Sequence, residues 1–239
     1  MCTVTYLPKG GHQFILTSNR DEAPQRNSRE LASEVHSGHS LLFPRDASAG
    51  GTWIAASAEG RVVCMLNGAF EPHHRQPPYR RSRGLMALDY FHFPAVEAFL
   101  RQYTFAGMEA FTMLIFEAGR VLDVRWDHTQ LYQQELDPSQ PHIWSSAPLY
   151  PAPVRRKREL WFRQWLQQQD YSRQAILNWH YTAGDGDVWN DVVMNRDGLV
   201  RTLSISSIER GREQLKFEYR DLLSGDTEQQ QLDLTAADI

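Results

Sequence analysis

"CTVTYLPKGGHQFILTSNRDE" (residues 2–22) holds two β-branched or apolar runs, CTVTYL (2–7) and QFILTS (13–18), on either side of PKGGH. Paired glycines supply the positive φ that a tight turn requires, so the stretch reads as a β-hairpin. With Gly10 and Gly11 at the turn, antiparallel pairing sets Cys2 opposite Asn19, within two residues. Opposed residues have Cα atoms about 4.5–5.5 Å apart. The start of the chain and NRDE (19–22) are therefore expected to be neighbours in space.

The same logic gives a second hairpin, TWIAAS (52–57) and RVVCMLN (61–67) around Ala58-Glu59-Gly60, which returns Asn67 to the level of the Gly50-Gly51 turn. Further strands are expected at 111–117, 120–126, 199–207 and 213–220. Helices are expected over 82–91, over 94–103 with proline in the first turn, over 155–169, and over 172–181 with a serine cap. In the third of these, Leu160, Trp161, Trp165 and Leu166 stand at helical spacing. EPHHRQPPYRRSR (71–83) and PLYPAP (148–153) read as surface loops, and Asn195-Arg196-Asp197-Gly198 as a turn rather than an internal repeat of NRDE. Strands at both ends with helices between them predict layered sheets covered by helices.

The 239 residues are enough for one large domain, 1–239, and no break in composition divides them. Hydrophobic residues make up 41% and charged residues 23%, with a formal net charge of −4. That balance argues against disorder and against binding nucleic acid by charge alone. No basic start leads into a long apolar stretch, and no run approaches the roughly 18 apolar residues of a membrane helix. A cytoplasmic chain without a transmembrane segment is expected. Cys2 and Cys64 are expected to be free thiols, and no CxxC suggests a zinc site.

Cys2 carries the sharpest chemical reading. Removal of Met1 would give it a free α-amine with a reference pKa near 7.7–8.0 beside a thiol near 8.5, so that one residue holds nucleophile and base. Arg20 would favour the thiolate and Asp21 would orient the ammonium or the thiol. The plainer alternatives are a small strand residue at Cys2 and a solvated Arg20–Asp21 pair contributing about 0–1 kcal/mol. Asn67 ends an apolar strand, where its amide either donates to an oxyanion or starts a turn. Arg201, between apolar residues of LVRTLSIS, must bind an anion, pair with Asp21 or face solvent. His73 and His74 lie in a loop with four arginines, which suits either haem iron and propionates or plain hydration. DGDVWND (185–191) lacks the full calcium-loop pattern, and RRKR (155–158) reads as a solvated helix face.

Cys2 after the start methionine, SNRDE (18–22), GGTW (50–53), LN (66–67), SRG (82–84), WSSAP (144–148) and RTLS (201–204) together resemble the NRDE family, also called the transport and Golgi organisation type. The resemblance runs from residue 1 to about 210. It implies a fold similar to the N-terminal nucleophile hydrolases, the group of penicillin V acylases and bile salt hydrolases. That fold is an α+β, four-layer αββα sandwich of antiparallel sheets. The hydrolase roles, carried over by motif, fall on Cys2, Arg20, Asp21, Asn67 and Arg201. Ser146 stands in SSAP where an oxyanion asparagine is usual; a lost oxyanion donor can cost about 10²–10³ in kcat. The family itself is linked to haem trafficking and to lipid or acyl-coenzyme A metabolism.

The first expectation is therefore handling of a hydrophobic anionic ligand, haem or an acyl-coenzyme A, with no cofactor required. Ligand contacts are expected from Asn19, Arg20, Asp21, Glu22, Trp53, His73, His74 and Arg201. The second is a Cys2 amidase or thioesterase, with Asn67 and Ser146 holding the oxyanion. An interaction module has only the RRKR helix behind it.

Overall fold

A computed structural model describes residues 3–26, 28 and 30–235. The opening hairpin is β1 (Thr3–Gly10) and β2 (Gln13–Glu22), with Thr3 paired to Asn19 and Val4 to Ser18. Cys2, expected opposite Asn19, lies outside the described residues. The register slips between Pro8 and Gly10, where proline has no amide hydrogen for the ladder, and the strand resumes at Gln13.

Two seven-stranded antiparallel sheets follow. In the first, β10 (His142–Ser145), β1, β2, β12 (Val200–Arg210), β13 (Gln214–Asp221) and β14 (Thr227–Asp233) lie in that order, with the short β11 (Asn195–Arg196) beside β12. The second runs in chain order: β3 (Leu31–His36), β4 (His39–Pro44), β5 (Ile54–Ser57), β6 (Val62–Asn67), β7 (Phe111–Glu117), β8 (Arg120–Trp126) and β9 (Leu131–Leu136). Alternation along the strands decides the layers. Val4, Tyr6 and Leu16 of the first sheet meet Ile54, Cys64 and Leu114 of the second in a shared core. On the far side of the first sheet, Leu7 and Ile15 pack against Phe162 and Trp165 of α3 (Ala152–Leu166) and Trp179 of α4 (Arg173–Thr182). On the far side of the second, Val63 and Met113 pack against Met86 of α1 (Arg83–Asp89) and Phe99 of α2 (Val96–Gln102). The result is the αββα sandwich expected from the sequence.

Some boundaries move for local reasons. Pro94 precedes α2 instead of opening it, because the chain is extended at Ala95. The third helix starts at Ala152 and takes Pro153 into its first turn, so the end of PLYPAP is helical. Ser172 caps α4 by accepting from the Ala175 N–H at 3.2 Å. Asp197 and Gly198 both have positive φ, 53° and 73°, as an Asp-Gly hairpin turn requires. Thr52 and Trp53 fall outside β5 because the Thr52 N–H bonds to Gly84 O at 3.0 Å instead of a strand neighbour.

Candidate functional site

The four residues of NRDE occupy successive positions at the end of β2 and divide between its two faces. Asn19 and Asp21 look toward the α3–α4 layer. The Asn19 amide donates to the carbonyls of His180 and Val192, both at 3.0 Å, which leaves its oxygen to accept from His180 Nδ1. His180 Nε2 must then be the acceptor for Thr5 Oγ1 at 2.7 Å. Burial holds this imidazole neutral, pushing its pKa down to about 3, with Arg158 adding to the effect. Asn19 thus ties a helix to a sheet; the expected ligand contact is replaced by an internal network that uses the whole amide. The Asp21 carboxylate accepts from Tyr150 OH at 2.7 Å and Thr202 Oγ1 at 2.5 Å.

Arg20 and Glu22 look the other way, into a cleft of about 480 Å³. Arg20 is 3% exposed, pairs with Asp46 at 2.7 Å, and stacks with its guanidinium carbon 4.2 Å from the centre of the Trp53 ring. Burial pushes its pKa down while Asp46 opposes that shift. Burial pushes the Asp46 carboxyl up, but the amides of Ala49 and Ser48 and the guanidiniums of Arg26 and Arg20 outweigh it and hold it below the usual range. Glu22 accepts from Arg26 at 2.6 Å, and Arg26 also reaches Asp46 at 2.8 Å.

Two glycines shape the mouth. A Cβ on Gly51 would stand 2.3 Å from the carbonyl carbon of Gly84, so the GGTW and SRG segments meet backbone to backbone, sealed by the Thr52 N–H to Gly84 O bond. Opposite them, Glu109 gathers Arg83 at 3.2 Å and Arg75 and His73 at 3.3 Å. Five arginines, Arg20, Arg26, Arg75, Arg81 and Arg83, and three carboxylates, Glu22, Asp46 and Glu109, line the cleft together with Trp53, Met65 and Asn67. Arg75 and Arg81 have side chains 73% and 38% exposed, so part of the positive charge faces outward.

The remaining expected site residues are placed as follows. Asn67 lines the cleft. Ser146 is 1% exposed, and its hydroxyl donates its single proton to the Asn67 carbonyl at 3.0 Å. In this arrangement it braces Asn67 and is not the oxyanion donor anticipated for it. Arg201 pairs across the ladder with Glu22, outside the cleft lining, and Asp21 is held by Tyr150 and Thr202. His73 is fixed by Glu109 and by an edge contact with His128, ring centres 4.9 Å apart, and burial lowers its pKa against the pull of Glu109. His74 is exposed. The two histidines therefore sit in different surroundings. Asp46, Glu109, Tyr150 and His180 went unmarked in the sequence, and of these only Asp46, a few residues before GGTW, had a signal; Arg83 was marked within SRG and among the four arginines of the His73-His74 loop.

The two facing sheets, the helical layers outside them, and a cleft at the end of the strand that follows the N-terminal one define an N-terminal-nucleophile-hydrolase-like fold. Solved structures agree. Two variants of the conjugated bile acid hydrolase from Clostridium perfringens match with TM-scores of 0.55 and 0.54 at 11% identity, over 96% of this chain and 92% of theirs. The Caenorhabditis elegans orthologue of N-acylethanolamine-hydrolyzing acid amidase matches with a TM-score of 0.51 at 14% identity, over 87% of this chain and 92% of that one. At these identities the likeness shows the fold alone. No curated protein sequence matches. The family model "Transport and Golgi organisation 2" matches residues 1–201, and the chain belongs to that family.

Proposed function

We propose that the cleft receives a ligand that joins an anionic group to an apolar body, of the chemistry of haem or an acyl-coenzyme A, and carries it as cargo of a single cytoplasmic unit. The observation behind this reading is the set of five arginines against three lining carboxylates around Trp53 and Met65, with Arg75 largely exposed beside Glu109 and Arg81 partly exposed and paired with Asp89 at 2.5 Å. Guanidiniums suit carboxylate and phosphate, while the ring and thioether suit an apolar body. The test is titration with haem, followed at the Soret band, and with palmitoyl-coenzyme A by calorimetry. Binding should weaken tenfold or more in Arg75→Ala/Arg81→Ala, since hydrogen bonds to charged groups contribute about 1.5–3 kcal/mol each. Binding of both ligands no tighter than to an unrelated protein would sink the reading. Unchanged haem binding in His73→Ala/His74→Ala would remove those two as iron ligands.

A second reading, hydrolysis of an amide or thioester by Cys2, is favoured by the seating of Arg20. Cys2 is joined directly to Thr3, and Thr3 pairs with Asn19 beside that arginine. Cys2 would attack the carbonyl, its amine would shuttle the proton, and Asn67 would hold the oxyanion without help from Ser146. This reading requires loss of Met1, which intact mass reveals directly. It also requires Cys2→Ala to abolish turnover at unchanged thermal stability.

A further inference from the structure

We infer that the groove between α3 and α4, on the outer helical layer, is a second binding site, for a neutral saccharide. It encloses about 680 Å³, within the range of ligand sites, and its lining differs in kind from that of the arginine cleft. Among the described residues its lining holds no cation, and its single carboxylate is Asp170, which is already turned to the Ser172 N–H at 3.0 Å. The Lys157 ammonium stands 5.5 Å from the centre of the Trp161 ring but is already paired with Asp185.

Three indoles, Trp161, Trp165 and Trp179, and the amides of Gln164, Gln174 and Asn178 make up much of the wall. Trp165 and Trp179 are only 8% and 5% exposed and form the floor, packed on Phe162. Trp161 is partly exposed and stands at the side. These three amides, and that of Gln168, which also lines the groove, are exposed and make no side-chain hydrogen bond to another described residue, and each offers an N–H donor and a carbonyl acceptor. Sugar hydroxyls also donate and accept, and the C–H faces of a pyranose suit an indole. The main competitor for an aromatic groove is a proline-rich peptide. Its prolines present carbonyl acceptors and no N–H, so it would match only the donor half of each amide and leave the carbonyls unpaired.

The test is intrinsic tryptophan fluorescence of the full chain, titrated with maltotriose, cellotriose, xylotriose and chitotriose and, in parallel, with a decaproline peptide. At least one trisaccharide should give a saturable change. Trp161→Ala should weaken it tenfold or more, and the exposed pair Gln164→Ala/Asn178→Ala fivefold or more, whereas Arg75→Ala/Arg81→Ala in the other cleft should leave it unchanged. Should Trp161→Ala fail to fold, the amide pair decides. The inference is overturned by three results: no trisaccharide response beyond that of an unrelated protein, response to the peptide alone, or wild-type binding in the folded variants. Because the cleft variant is carried alongside, failure here leaves the proposal for the arginine cleft standing, and the reverse.

Discussion

Arg20 is a buried cation that keeps its charge because Asp46 faces it and Trp53 lies under it. Removing one partner of such a pair strands the other charge away from water. Asp46→Asn should therefore lower the free energy of unfolding by about 3 kcal/mol in urea denaturation, within the range for breaking buried pairs. The same carboxyl, held below its ordinary range in the folded state, contributes stability that is present above its unfolded pKa and is lost as pH falls through the folded value. His180 acts in the same direction from the opposite charge type. Folded, it stays neutral down to about pH 3, whereas unfolded it takes a proton near 6.5. Between those values the unfolded state binds more protons, so stability falls as pH falls, with a slope of up to about 1.4 kcal/mol per pH unit. His180→Gln should flatten the pH dependence of the melting temperature between pH 6.5 and 3. NRDE was visible in the sequence as one polar string, and it was read as one site. Period-two alternation instead sends Asn19 and Asp21 to an internal network and Arg20 and Glu22 to the cleft. The partners that reveal the split, His180, Tyr150 and Asp46, are distant in sequence and carry no pattern of their own.

Among the elements, the β1–β2, β5–β6 and β7–β8 hairpins were legible because apolar runs flank their glycine turns on both sides; the glycine turns at Gly38 and Gly225 have no such pair of runs around them. Missed were β3, β4, β9, β10, β11 and β14, β11 because Asn195-Arg196 was assigned to the turn that follows it. LYQQEL of β9 and TEQQQLD of β14 are polar and largely solvent-facing sheet edges, so burial imposes little apolar alternation on them. HIWS of β10 is four residues long, too short for periodicity to register. The layered arrangement survived these omissions because the central strands, buried on both faces, read as continuous apolar runs, while the four-layer αββα order followed from the family resemblance. GGTW and SRG were legible as strings, but their purpose was not, since no local rule says that Gly51 must touch Gly84. The geometry gives a direct prediction for this joint. Gly51→Ala forces a methyl into the Gly84 backbone, which has no side chain to rotate away, and should cost about 3 kcal/mol or more, the upper end for overpacking. A thermal melt measures that cost, and the arginine cleft should lose binding of its anionic ligand in step.

For the molecule as a whole, Cys64 reports on whether the two sheets stay together. It is fully buried between them, and burial pushes its thiol up to about 12, so it is neither accessible nor ionised in the native state. In Cys2→Ala protein, which leaves Cys64 as the single thiol, Ellman's reagent should react at the rate of global unfolding and accelerate with urea along the unfolding limb. Labelling much faster than unfolding would mean that the layers open separately.

The sheet order sets a schedule for biosynthesis. β2 finds its second neighbour, β12, about 180 residues further along the chain. At roughly 5–20 residues per second, a ribosome needs on the order of ten to forty seconds to deliver it. Throughout that interval the strand ending in NRDE emerges with one edge bare, an apolar ribbon inviting wrong partners. The cleft follows a different schedule: its lining, residues 20–109, is synthesised well before β12, so its walls are delivered while the strand that carries Arg20 still lacks its second neighbour.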